Sequence, residues 1–74
     1  MIPQEQKPLQ SFRLPFGQEV QLLEAEFDGD VRLLRLRIKE KSRFTTVDLD
    51  PATARLWGDA MSAWAGDQMA RGDE

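Results

Sequence analysis

The chain reads as an α+β domain: a four-stranded antiparallel β-meander packed on one C-terminal amphipathic α-helix. Three observations predict it. Apolar residues alternate at period two in four successive segments before residue 50. Turn formers punctuate those segments at Gly17-Gln18, Asp28-Gly29-Asp30 and Glu40-Lys41-Ser42. After Asp50-Pro51 the spacing changes to that of a helix, with Leu56, Trp57, Ala60, Met61 and Trp64 on one face.

Residues 1–8 are polar and hold two prolines, which predicts a flexible tail. The single domain is expected over residues 9–69. Its first strand runs from about Leu9 to Phe16, with Phe12, Leu14 and Phe16 on one side. Pro15 lacks an N–H and places this strand at a sheet edge. The second strand, Glu19–Phe27, and the third, Val31–Lys39, flank the Asp28-Gly29-Asp30 turn. The fourth, Arg43–Leu49, is rich in β-branched Thr45, Thr46 and Val47. Asp50 suits a helix N-cap, where a carboxylate accepts unpaired backbone N–H groups, and Pro51 suits the first helical position. The helix is expected to end near Ala65–Met69, with residues 70–74 frayed.

A three-residue loop at Asp28–Asp30 sets Phe27 opposite Val31, Leu22 opposite Leu36 and Val20 opposite Ile38. A three-residue loop at Gly17–Glu19 sets Phe16 opposite Val20. One face then collects Phe12, Leu14, Phe16, Val20, Leu22, Leu34, Leu36 and Ile38. A two-residue loop at Glu40-Lys41 adds Val47 and Leu49. This face is the expected core, covered by the helix, with Trp57 and Trp64 against Leu14, Leu22, Leu34 and Leu36.

The central hairpin has a second apolar set of opposite parity. Near its turn, Leu23, Ala25, Phe27, Val31 and Leu33 share the other face. Five such side chains form a candidate interface; the competing reading is that the coiled hairpin wraps them around the domain's own helix. Farther along that face lie Arg35, Arg37, Lys39 and Phe44, a candidate nucleic-acid platform of cations beside a stacking ring. The competing reading is a solvated strand face, neutralised by Glu19, Glu24 and Asp48.

Charge is segregated. The net charge is −3. Residues 19–30 hold five acids and no base, whereas residues 32–43 hold six bases and one acid. This acidic balance opposes non-specific nucleic-acid binding, while the basic strand favours it locally. There is no cysteine and no histidine, so disulfides, thiolate metal sites and the commonest general base are excluded. Asp48 and Asp50 flank the strand–helix junction without a nucleophile or base beside them, and no catalytic, metal or cofactor site is expected. A 74-residue chain without disulfides or metal is marginally stable alone, which makes oligomerisation the remaining support. No apolar run is long enough to span a membrane, and Met1–Lys7 lacks a signal-peptide core, so the expected compartment is the cytoplasm.

The run Val47-Asp48-Leu49-Asp50-Pro51 resembles the strand-to-helix entry of the positive-cofactor-four family of single-stranded-DNA-binding coactivators. The likeness in element order covers roughly residues 12–65. It implies dimerisation through the helix and a basic sheet on which Arg35, Arg37 and Lys39 face single strands. Net acidity, few aromatics and no basic N-terminal stretch depart from that family. The run from Arg43 to Ala54, with Trp57 and Trp64, is also similar to small bacterial domains of unknown function. That likeness implies a fold and no activity. The leading expectation is a non-enzymatic interaction module, a homodimer formed through the second sheet face or the helix edge, or the partner of another protein; the alternative is a single-stranded nucleic-acid-binding domain that uses the basic sheet face.

Overall fold

The computed structural model describes residues 5–72. Four strands, β1 (Glu5–Arg13), β2 (Glu19–Phe27), β3 (Val31–Glu40) and β4 (Arg43–Leu49), precede one helix, α1 (Pro51–Gly72). The strands form a single sheet in the order β1-β2-β3-β4, antiparallel throughout. The chain is an α+β domain built on a meander.

The pairing of β2 with β3 follows the hairpin argument: Val20 faces Ile38, Leu22 faces Leu36, and Phe27 faces Val31. The turn between them uses left-handed backbone at Gly29 (φ 79°) and Asp30 (φ 61°), the conformation that glycine and aspartate tolerate best. Between β3 and β4 the loop is Lys41-Ser42, one residue later than expected. Glu40 pairs with Arg43, and Leu36 with Val47. The parity is unchanged, so Val47 and Leu49 still share a face with Leu34, Leu36 and Ile38.

The first strand differs more. It begins at Glu5, inside the stretch expected as a tail, and ends at Arg13. Residues 1–4 of that expected tail lie outside the described residues. Leu14, Pro15 and Phe16 belong to a turn closed by Leu14 N–H to Gln18 O (2.8 Å) and Gly17 N–H to Leu14 O (3.0 Å). The register shifts between Pro8 and Gln10, which makes Leu9 a bulge residue on the edge strand. Phe12 pairs with Val20, so it keeps the expected face. Leu14 and Phe16 leave the core, and Phe16 is exposed.

The helix begins as read. Thr53 donates its backbone N–H to Asp50 Oδ2 (3.4 Å) and its hydroxyl to Asp50 Oδ1. Asp50 is therefore the N-cap. These bonds, the Thr53 hydroxyl first, hold the Asp50 carboxyl below the usual carboxylate range. The helix continues through residues 70–72, part of the stretch expected to fray; residues 73–74 lie outside the described ones.

Packing overturns one expectation outright. The helix does not cover the sheet. It touches only β3 and β4, at its root, and among the described residues no α1 side chain is buried. Trp57 is 43% and Trp64 is 67% exposed. The physical reason lies at the junction. Only Asp50 separates Leu49 from Pro51, and the cap bonds of Asp50 set the helix direction at once. From that cap α1 runs away from the sheet, and only its first turn, at Pro51 and Ala54, stays beside it. Among the described residues, no helix is long and apolar enough to cross a membrane.

Candidate interaction surface

The sheet has two faces of different character. The first carries Phe12, Val20, Leu22, Leu34, Leu36, Ile38, Val47 and Leu49, by the register of all three strand pairs. Leu49 is buried, Phe12 is exposed and the other six are half-buried. This face is apolar and only partly covered. Its turn end is charged: Arg32 lies 3.9 Å from both Glu24 and Glu26. Pro51 and Ala54 of α1 approach there, forming a cleft with Leu9 and Leu34 at the edge of this face.

The second face holds the patch read as an interface, and it is not open as a unit. Leu23, Ala25 and Phe27 are buried within the chain, Ala25 completely. Their neighbours on both sides explain this. Leu23 lies between Pro8 and Arg35, and Ala25 between Gln6 and Leu33. The Arg35 guanidinium sits 6.0 Å from the Phe27 ring centroid. The alternative expectation, that the helix wraps these side chains, fails for Leu23, Ala25 and Phe27, because α1 makes no contact with β2. Val31 remains exposed and Leu33 half-buried, beside a shallow cleft shared with Phe27, Asp28 and Asp48.

The basic residues divide. Arg35 is committed to Asp48 through Nε–Oδ1 (2.7 Å) and Nη2–Oδ2 (2.9 Å). That pair holds the Asp48 carboxyl below its usual range and raises the Arg35 guanidinium, the hydrogen bonds being the main cause for both. Arg37 and Lys39 flank the Phe44 ring, at 5.1 Å and 5.8 Å from its centroid. Glu19 and Gln21 line the same depression. Arg37, Lys39 and Phe44 are therefore brought together, while Arg35 is drawn into a neutral pair. The exposed ring is already occupied by its own cations, which competes with base stacking.

The apolar stripe of the helix, expected in the core, lies open. Leu56, Trp57, Met61 and Trp64 are all exposed. Their spacing on one face is legible in sequence, but spacing alone does not say which surface they cover. Gly58 and Gly66 have open space where a side chain would begin. Arg55 and Asp59 form a loose i,i+4 pair at 3.9 Å, away from the stripe.

No curated protein and no solved structure matches this chain. The likeness to the positive-cofactor-four family thus stays confined to the strand–helix junction and the element order. One family model matches residues 3–67, nearly the whole domain. The chain belongs to that family, a family of unknown function, DUF6967.

Proposed function

We propose that this chain is a non-enzymatic interaction module that works as a self-associated unit. One observation carries the reading: the isolated chain leaves too much surface open. A folded protein of 8.5 kDa exposes about 4,700 Å² by the usual scaling, whereas this chain exposes 6274 Å². The excess, about 1,600 Å², falls within the roughly 1,000–2,500 Å² that each partner contributes to an obligate interface. The shape agrees. The radius of gyration is 14.8 Å, against about 11 Å for a compact chain of this length. The shortest dimension is 15 Å, close to the thickness of one layer of structure. Domains bury their apolar faces between at least two layers. A second copy supplies the missing one. Sedimentation velocity over a concentration series tests this, with a dimer expected and a persistent monomer opposing it.

The second reading is a single-stranded nucleic-acid binder. The observation favouring it is the juxtaposition of Arg37 and Lys39 with Phe44. The Arg35–Asp48 pair and the nearby Glu19 weaken its field, so we rank it below self-association. Fluorescence anisotropy of a labelled oligonucleotide at two salt concentrations tests it.

A further inference from the structure

The chain exposes two apolar surfaces that its own fold keeps apart. One is the half-open sheet face centred on Leu22, Leu36 and Val47. The other is the helix stripe Leu56, Trp57, Met61 and Trp64. Resting on the self-association reading, we propose that they are each other's partner between two copies. The helix of one chain lies across the sheet face of the second, and the second chain's helix returns the contact.

Four features support this pairing. First, a helix-to-helix contact alone leaves the sheet face bare, so it accounts for only part of the excess surface. Second, the dimensions match. From Leu56 to Trp64 the stripe runs about 12 Å at 1.5 Å per residue. Four strands about 4.8 Å apart span about 14 Å from β1 to β4. Third, the stripe carries no charge between these two residues, and the Arg55–Asp59 pair lies off it. No buried ion therefore opposes docking. Fourth, the helix leaves its own sheet face open: it touches only β3 and β4, beside the Asp50 cap, and none of its described side chains is buried. A contact made twice about a two-fold axis closes on itself, leaving neither surface free to recruit a third chain.

The absence of cysteine gives a clean test. Two singly substituted chains, Met61→Cys and Val47→Cys, are refolded together and treated with a short bis-maleimide. Neither chain can cross-link within itself, so any mixed product reports contact between copies. The expected result is a Met61→Cys to Val47→Cys product, identified by mass spectrometry and lost when guanidinium is present. A mixture that sediments as a dimer yet gives no mixed product overturns the helix-on-sheet arrangement and leaves self-association standing. A wild-type chain that stays monomeric removes both. Unequal folding of the variants is controlled by sedimenting each alone and repeating the cross-link with Leu22→Cys as the sheet position.

Discussion

Arg35 and Asp48 face each other across β3 and β4 and close a two-pronged pair, with contacts of 2.7 Å and 2.9 Å. Both side chains are more than two-thirds covered, unlike those of the looser 3.9 Å pairs Arg13–Glu19, Arg32–Glu24 and Arg55–Asp59. The pair depresses the Asp48 carboxyl, so the folded state binds a proton less readily than the unfolded one. The sign follows. This contribution is complete above the unfolded carboxylate value of about 3.9 and is lost as pH falls through the lower folded value. Thermal melts should show a plateau from neutral pH to about pH 5 and a decline below about pH 4. Asp48→Asn should cost about 1 kcal/mol at neutral pH and flatten that decline. An unchanged acid limb in the variant would show that other carboxylates govern it.

If the helix stripe is the interface, the two tryptophans on it report association directly. In the isolated chain they face water, contrary to the core role their spacing first indicated. Dilution should therefore shift their emission to the red. Trp64→Ala should weaken association by at least about 2 kcal/mol, roughly a 30-fold rise in Kd, as truncation of an interface aromatic does. Emission that is independent of concentration from the nanomolar to the high micromolar range would contradict the assignment.

Gly58 sits in the interior of α1 with open space around it. Gly58→Ala should raise stability by up to about 1 kcal/mol through helix propensity alone. A fall in melting temperature would place a second chain close against that side of the helix.

Lys41 has left-handed backbone, φ 57°, at the first position of a two-residue hairpin loop. A side chain there is strained, and glycine is favoured. Lys41→Gly should stabilise the fold by about 0.5–1 kcal/mol in urea titrations. A loss of stability would mean that the lysine side chain makes a contact worth more than the strain.

The basic edge predicts a salt signature if it binds single strands. Arg37 and Lys39 are the cations left beside Phe44, and two phosphate contacts imply a logarithmic salt slope of about −1.4. The acidic neighbours predict weak binding or none. Binding at physiological salt that is tight, and lost in Arg37→Ala, would move nucleic acid to first place.

Much of the fold was legible before the structure. Period-two alternation located β2, β3 and β4. The Asp28-Gly29-Asp30 turn set their pairing, and Asp50-Pro51 marked the helix start through cap chemistry. These are local signals, and local physics decides them. The first strand was misplaced because Leu14 and Phe16 continue the alternation of Phe12 into a turn. Hydrophobic period does not register the Leu14–Gln18 backbone bond that ends the strand. The candidate surfaces were legible only as residue sets. Spacing put Trp57 and Trp64 on one stripe and Leu23, Ala25 and Phe27 on one face. Which of these is covered depends on where a 22-residue helix points from its cap, and on how far Arg35 reaches over Phe27. Both are facts of three-dimensional placement that hydrophobic period and spacing do not report.

On the self-association proposal, one chain is half of a closed core. Sedimentation velocity of the unmodified protein, from low to high micromolar concentration, tests it most directly. A self-associated chain gives a species of twice the 8.5 kDa chain mass that persists on dilution. A folded species at 8.5 kDa, unchanged across that range, would contradict it.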